Sequence, residues 1–244
     1  MSAPSPPEPL DGVTGVILCG GRGERLRPFT ESLPKPLVPL KGRALLGHLL
    51  DFLSLHGLRR IILCTGYRAA EIEGYVEANQ RPGIAVTCVN SGNVAMADRI
   101  LDARTFAPGR LLICYGDTLA NIDLSQLLYD HVRSKALATM SVYPLKSPFG
   151  IVSVEEASAK VIALDEKPVL PHWINIGYVL CEPEVLDLLE RGTDLIAFLN
   201  TVAGQGRLYA HRHHDRHLTV NTEKERADAE RDIEFFTLPE GSDE

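Results

Sequence analysis

An apolar run that ends directly in a cluster of glycines is the feature that most constrains this chain. Residues 16–19, with the sequence VILC, predict a buried β-strand, and residues 20–23 follow with the sequence GGRG. Glycine has no Cβ, so the backbone there can turn sharply and approach a ligand to hydrogen-bond distance. Successive backbone amides in such a turn form a concave anion site. The strand and loop together predict a place where phosphate contacts the backbone.

Two cationic side chains follow the glycines within the stretch 16–40. Arg25 comes two residues after the last glycine, and Lys35 lies between Pro34 and Pro36. A guanidinium can hold phosphate oxygens in a two-pronged contact, an ammonium acts as a point charge, and the prolines restrict the backbone around Lys35. The loop therefore suits a polyphosphate, and a tight βα turn with solvated charges is the alternative. The P-loop and dinucleotide patterns GxxxxGK[ST] and GxGxxG are both absent.

The first half of the chain alternates predicted strands with predicted helices. After the first strand, the patterns indicate helices at 44–56, 69–77 and 95–104, and strands at 59–65, 84–89 and 110–115. This alternation is typical of βαβ units and a mostly parallel sheet. We therefore predict an α/β fold with a Rossmann-like, mostly parallel sheet sandwiched by helices. Its ligand site should lie beyond the carboxyl ends of the strands.

The second half has a more mixed pattern. Helices are predicted at 124–134, 185–190, 194–203 and 223–235, and strands at 136–144, 150–154, 161–165, 173–180, 208–213 and 217–220. No internal repeat or strong linker divides the chain, so we predict one nucleotide-binding domain over residues 13–236. Residues 1–12, which are rich in proline, and residues 237–244 are expected to be tails, the first of them disordered.

Composition argues against several classes of function. The 244 residues carry a formal net charge of -7, which is unfavourable for a general nucleic-acid or anionic-membrane surface. No apolar run is long enough to span a bilayer, and no signal peptide is expected. The five cysteines form no CxxC pair, so zinc is not expected, and most lie in apolar runs typical of buried thiols. We therefore expect a cytoplasmic protein without nucleic-acid or membrane partners.

The longer pattern GGxGxRLxPxT, followed by Pro-Lys-Pro, resembles the signature of the sugar-1-phosphate nucleotidyltransferases, and the resemblance extends over residues 15–222. It implies transfer of a nucleoside monophosphate from an NTP to a sugar 1-phosphate, with release of pyrophosphate, on the nucleotide-diphospho-sugar transferase fold. It implies Mg²⁺ as the cofactor and leaves a homo-oligomer open. It also implies catalytic roles for Arg25, Lys35 and Asp117. The implied nucleotide contacts are Leu18, Gly20, Gly21, Gly23, Arg25, Lys35, Asn90 and Gly92.

A metal site is expected where Asp117 follows the predicted strand 110–115. A carboxylate at that end of a parallel strand can hold a cation, and Mg²⁺ takes oxygen ligands; an aspartate that caps a helix or turn is the alternative. The resemblance makes Asp117 a magnesium ligand and puts Asn221 where the family usually has a second aspartate. Asparagine can coordinate through its carbonyl oxygen but brings no charge. This departure leaves open a second function, in which a catalytically weak relative binds NDP-sugars and regulates a partner.

Four residues of the second half are expected on the sugar side. Glu166 and Lys167 stand in an element that resembles the family's Glu-Lys-Pro, whose glutamate contacts sugar hydroxyls and whose lysine contacts the sugar phosphate; an exposed turn is the alternative. Asn175 stands in an Asn-x-Gly sequence that resembles the family's sugar-binding element. An asparagine amide both donates and accepts hydrogen bonds, which suits a sugar hydroxyl. Gly150 resembles the glycine that lets a sugar approach the backbone.

The segment beside the predicted base contacts departs from the family's usual Gly-Thr-Ala. Residues 93–99 have the sequence NVAMADR, which looks closest to glucose-1-phosphate cytidylyltransferases. Guanylyltransferases of heptose or cyclitol phosphates share much of the same framework. The resemblance therefore favours CTP as the nucleotide, with GTP next.

A run of histidines, HRHHDRH at residues 211–217, is the last feature that could carry chemistry. Alternate residues of a strand lie on one face, so His211 and His213 would share a face. We predict a solvated edge strand and turn, with a soft-metal site as the alternative.

Overall fold

A seven-stranded sheet forms the centre of the computed structural model, which describes residues 10–236. In chain order the strands are β1 (Val13–Leu18), β2 (Pro39–Leu40), β3 (Arg43–Ala44), β4 (Arg60–Thr65), β5 (Ala85–Asn90), β6 (Arg110–Tyr115), β7 (Thr118–Ala120), β8 (Ala138–Lys146), β9 (Ile151–Val154), β10 (Val161–Asp165), β11 (Val169–Cys181), β12 (Leu208–Arg212) and β13 (His217–Thr219). The central sheet has the order β12-β8-β11-β6-β1-β4-β5. The remaining strands form three two-stranded pairs, β9 with β10, β7 with β13 and β2 with β3.

The sheet is mostly parallel, which confirms the predicted fold class. Only β11 runs against its neighbours β6 and β8, whereas the other pairs of the central sheet are parallel. The connection from β8 to β11 explains the exception. It contains the β9–β10 hairpin and no helix, and a parallel neighbour would require a long crossover connection.

The described α-helices lie largely where the apolar spacing predicted them. They are α1 (Phe29–Ser32), α2 (Leu45–Leu55), α3 (Ala69–Ala78), α4 (Met96–Ala103), α5 (Leu124–Ser134), α6 (Leu195–Gly204) and α7 (Glu223–Asp232). Short 3₁₀ helices lie at Leu10–Gly12, Glu24–Leu26, Lys35–Leu37, Arg104–Phe106, Pro183–Leu188 and Ile233–Phe235. The helix predicted at 185–190 is present as a 3₁₀ helix at Pro183–Leu188, because the Val185 amide bonds the Glu182 carbonyl and the Leu189 amide bonds the Leu186 carbonyl, both three residues back.

Apolar side chains cover both faces of the central sheet. Successive strand residues point to opposite faces, so Val16 and Ile17 enter two different clusters. Val16 packs in the cluster that contains Phe198 of α6, and Ile17 in the cluster that contains Leu49 of α2. Burial on both faces accounts for the nearly continuous apolar runs of the strands.

The N-terminal end of the described chain is ordered at three residues that were predicted to belong to a tail. Leu10–Gly12 form a 3₁₀ turn and Leu10 is buried, although residues 1–12 were predicted to be a disordered tail. The rest of that prediction, at residues 1–9, and the tail predicted at 237–244 lie outside the described residues. Within residues 10–236, no helix has both the length and the apolar character that a membrane crossing needs.

Candidate functional site

A cleft of about 690 Å³ opens at the carboxyl ends of β1 and β6. These strands are neighbours, with Leu18 opposite Tyr115, so the loops that follow them meet at the same edge of the sheet. Eight of the residues predicted from the sequence line this cleft: Leu18, Gly20, Gly21, Gly23, Arg25, Lys35, Asp117 and Asn221. The structure therefore brings together the predicted phosphate loop and the predicted metal ligands.

The last glycine of the loop is required by both its backbone angle and its neighbours. Gly23 has a φ of 62°, in the left-handed region that favours glycine. A Cβ at this position would lie 3.0 Å from Cβ of Lys35 and 3.0 Å from Cγ2 of Thr30. The Thr30 hydroxyl donates to the Gly23 carbonyl at 2.9 Å. This close packing fixes the loop against the segment that carries Lys35.

Lys35 is the centre of a polar cluster in the cleft. Its Nζ atom lies 2.6 Å from Oδ2 of Asp117 and 2.8 Å from Oδ1 of Asn221. The same Asn221 oxygen accepts a hydrogen bond of 2.9 Å from Nη2 of Arg25. The side chain of Lys35 is 13% exposed and that of Asp117 is 28% exposed, so this ion pair is partly shielded from solvent. Two cations and two oxygen-bearing side chains from distant parts of the sequence thus meet at one point.

Strand pairing carries Asn221 to Asp117. β7 follows Asp117 directly and pairs with β13, and the Val220 amide donates to the Asp117 carbonyl at 3.0 Å. The start of α7 then fixes the next residues, because Thr222 caps the helix by accepting from the Glu225 amide at 3.2 Å. The Glu225 carboxylate in turn accepts from the Asn221 amide at 2.7 Å. The cap therefore orients the backbone from which the Asn221 side chain enters the cleft.

The predicted base contacts lie beside the cleft but do not line it. The Asn90 side chain accepts a hydrogen bond of 3.0 Å from the Gly92 amide and thereby stabilises its own turn. The described wall of the cleft on this side is formed instead by Asn93, Val94 and Met96. Contact of Asn90 and Gly92 with a nucleotide stays a prediction.

The four predicted sugar contacts also lie outside the lining of the cleft. A Cβ on Gly150 would lie 3.1 Å from Oε2 of Glu166, and Lys167 Nζ lies 3.7 Å from Oε1 of Glu166, so these three residues are neighbours. Asn175 donates to the Tyr115 hydroxyl at 3.3 Å, and Tyr115 lines the cleft. Burial raises the pKa of Tyr115. Asn175 is thus separated from the cleft by one side chain, whereas Lys167 is exposed beside the β9–β10 hairpin.

Arg99 of α4 is a cleft residue to which the sequence analysis assigned no role. It is 4% exposed and lines the cleft. One signal could have found it: Arg99 lies three residues after Met96 and four before Ala103, on the helical face that also carries the apolar Ile100. A charged residue on a buried helical face needs partners, and that need could have marked it.

The run 211–217 begins in β12, which is an edge strand of the central sheet as predicted, but two of its histidines are not solvated, which corrects that part of the prediction. His211 and His213 are both buried and share a face, as the alternation indicated. His211 Nδ1 lies 3.0 Å from Oδ2 of Asp130 and His213 Nε2 lies 3.0 Å from the Arg216 carbonyl oxygen, so both are held by protein groups. Within the described part of the chain, no group of three or more His, Cys, Asp or Glu is placed to hold a metal ion.

His217 lies next to this pair and has a perturbed pKa. Burial, and after it the neighbouring His213, lowers the pKa of His217 from 6.5 to about 4, against an opposing effect of Asp117. Burial also lowers the pKa of His48 and of His131. In each case the unfolded chain binds a proton more readily than the folded protein does. The free energy of unfolding that these histidines contribute therefore decreases as the pH falls below 6.5.

Comparison with known proteins gives a consistent set of relatives. The family model described as Nucleotidyl transferase matches residues 14–205. A probable glucose-1-phosphate cytidylyltransferase of Bacillus subtilis is 30% identical over 86% of this chain and 91% of its own length. A UTP–glucose-1-phosphate uridylyltransferase of Synechocystis sp. is 30% identical over 73% of this chain and 51% of its own. A mannose-1-phosphate guanylyltransferase of Mycobacterium tuberculosis is 32% identical over 75% of this chain and 52% of its own.

The chain thus spans about half the length of the uridylyltransferase and the guanylyltransferase, and nearly all of the cytidylyltransferase. Among solved structures, a protein from Bacillus anthracis described as a glucose-1-phosphate thymidylyltransferase, crystallised with sucrose, superimposes with a TM-score of 0.77 at 19% identity. The match covers 93% of this chain and 98% of that chain. This likeness establishes a shared fold.

Proposed function

Because the chain belongs to the nucleotidyl transferase family, in the group of sugar-1-phosphate nucleotidyltransferases, we propose that it transfers a nucleoside monophosphate from an NTP to a sugar 1-phosphate and releases pyrophosphate. One observation carries the proposal. The Lys35 ammonium is held between Asp117 and Asn221 directly beside the glycine loop, in a cleft that also holds Arg25. This cluster combines groups for phosphate with groups for a cation.

In the proposed reaction, an oxygen of the sugar phosphate attacks the α-phosphorus of the NTP. A new P–O bond forms as the bond to the β-phosphate oxygen breaks, and pyrophosphate leaves. No covalent enzyme intermediate is required, so the protein contributes position and charge. The backbone amides of the glycine loop, Arg25 and Lys35 bind the triphosphate, and Lys167 binds the sugar phosphate. The Lys35 ammonium is carried on a flexible four-carbon chain, so it can leave Asp117 and Asn221 and contact phosphate oxygens instead.

The residues in the cleft fit a magnesium ion. Oδ2 of Asp117 and Oδ1 of Asn221 both lie within 2.8 Å of one cationic atom, Lys35 Nζ, so these two oxygens converge on a single position. Mg²⁺ usually takes one or two carboxylates from the protein and completes its shell with phosphate oxygens and water. We propose that Asp117 and Asn221 hold Mg²⁺, which when bound neutralises charge on the transferring phosphate.

We propose CTP as the preferred nucleotide, with GTP next. The sequence of residues 93–99 supports this order, and the cytidylyltransferase relative is matched over 91% of its length. Two relatives of comparable identity are named as a uridylyltransferase and a guanylyltransferase, so the experiment below compares several nucleotides directly. Cytoplasmic location and homo-oligomer formation stay predictions, as does the single domain at 13–236.

The test is pyrophosphate release from a panel of CTP, GTP, UTP and dTTP, each paired with glucose 1-phosphate, mannose 1-phosphate and a heptose 1-phosphate. We expect release with one nucleotide well above the others, and much less release by Asp117→Asn at the same magnesium concentration. Tyr129→Phe, on the helix α5, provides a control that leaves the cleft unchanged. Binding of NDP-sugars without release for any pair would overturn the proposal and favour the regulatory alternative.

A further inference from the structure

The buried Arg99 joins three backbone segments at the floor of the cleft. Its Nη1 donates to the Thr65 carbonyl at 2.5 Å, and its Nη2 donates to the Gly92 carbonyl at 2.8 Å and the Gly20 carbonyl at 3.3 Å. All three acceptors are backbone oxygens. A guanidinium stays protonated and offers five donors in a fixed plane, so it can hold several carbonyls at set distances.

The three carbonyls belong to the ends of three adjacent strands. Gly20 follows β1, Thr65 ends β4 and Gly92 follows β5, and these strands are neighbours in the order β1-β4-β5. Gly20 starts the predicted phosphate loop, whereas Gly92 begins the turn that leads to the wall formed by Asn93, Val94 and Met96. Arg99 therefore connects the phosphate side of the cleft to the side where a base would lie.

Two glycines make room for this guanidinium. A Cβ on Gly20 would lie 1.9 Å from Nη1 of Arg99, and a Cβ on Gly66 would lie 2.5 Å from the same atom and 2.4 Å from the Gly92 carbonyl oxygen. Distances under 3 Å do not occur for real Cβ atoms, so any side chain at either position would displace the guanidinium. Gly20 thus has a packing role toward Arg99 besides any contact with phosphate.

We propose that Arg99 is a positioning residue that sets the spacing between the triphosphate-binding loop and the base-side wall. The proposal rests on the proposed function, since it names how the nucleotide subsites are aligned. A ligand that contacts both sides needs this spacing, whereas one that contacts only the phosphate loop does not. Arg99 should therefore influence binding of a whole NTP more strongly than binding of inorganic tripolyphosphate, and it should influence discrimination among bases.

The first experiment compares Arg99→Met and Arg99→Lys with the parent by calorimetry, using CTP, GTP and tripolyphosphate at fixed Mg²⁺. We expect the Kd of the preferred NTP to rise at least tenfold in both variants, and the Kd of tripolyphosphate to change less than threefold. Lysine keeps the charge but cannot hold three carbonyls in a plane, so it should not rescue the effect. Arg104→Met, at an exposed arginine just after the same helix, is the matched control.

A second measurement needs no nucleotide. Hydrogen–deuterium exchange of the free protein should become faster in residues 19–27 and 90–96 of Arg99→Lys, and stay unchanged in Arg104→Met. Faster exchange in neither segment, equal weakening of NTP and tripolyphosphate, or full activity of the lysine variant would each overturn the positioning role. If the parent binds no NTP, the proposed function fails, and the exchange result alone then decides whether Arg99 joins the two segments.

Discussion

Converting Asn221 to aspartate should lower the magnesium requirement of this protein. The present amide oxygen lies 2.8 Å from Lys35 Nζ, and the facing carboxylate oxygen of Asp117 lies 2.6 Å from the same atom. Asn221→Asp would therefore place a second carboxylate at a position where two oxygens already converge on one cation. Mg²⁺ binds carboxylate oxygen better than neutral amide oxygen, so its affinity for the cleft should increase.

The size of the effect can be bounded. A unit charge added about 4 Å from another contributes about 4 kcal/mol at an effective dielectric constant of about 20, which is an upper limit. Arg25 and Lys35 also attract the new carboxylate and offset part of that gain, because both already donate to Asn221. Each of these two contacts becomes about 1 kcal/mol stronger when its acceptor is charged, which leaves at most about 2 kcal/mol for magnesium. We therefore expect the magnesium concentration for half-maximal rate to fall by at most about thirtyfold, and the rate at saturating magnesium to change less.

The assay is the initial rate of pyrophosphate release as magnesium is titrated at saturating CTP. Asn221→Ala should raise the magnesium requirement, and Asp117→Asn should raise it most, since no carboxylate would remain at either position. Asn200→Asp on the exposed side of α6 controls for the added charge alone. If both Asn221 variants follow the parent curve while Asp117→Asn is inactive, Asn221 is not a metal ligand and the reasoning is refuted.

Three further predictions concern the phosphate loop, the sugar side and pH. Lys35→Ala should weaken NTP binding by about 1.5–3 kcal/mol, because it removes a charge-assisted contact; calorimetry that finds unchanged affinity contradicts its role. Lys167→Ala should raise the KM for the sugar phosphate and leave NTP affinity unchanged, and an equal loss of both would contradict its position. The parent should lose up to about 3 kcal/mol of its free energy of unfolding between pH 6.5 and pH 4 through His217, because the pKa of this residue is about 4 in the folded protein. His217→Gln should abolish this part of the loss. Urea unfolding at pH 7 and pH 4.5 measures this, with His172→Gln at an exposed site as the control, and an equal pH dependence in the parent and His217→Gln would refute it.

The sequence alone was sufficient for features that depend on neighbouring residues. The apolar run before Gly20, the helical spacing of α2 and the unchanged bounds of β6 and α5 follow from local periodicity. The mostly parallel sheet followed from the alternation of such elements. The glycine loop with Arg25 and Lys35 is likewise a local pattern, so its residues could be named in advance.

Only the tertiary structure decided which distant side chains meet and which become buried. Lys35 and Asn221 are 186 residues apart in sequence and come together through the pairing of β7 with β13. Arg99 has three backbone partners because three strand ends meet at one helix face. His211 is buried where β12 packs against α5, whose Asp130 it contacts. Contacts between residues so far apart in sequence depend on the order in which strands pair and on how helices pack against the sheet. Local propensity carries no information about that order, so only the tertiary structure determines these contacts.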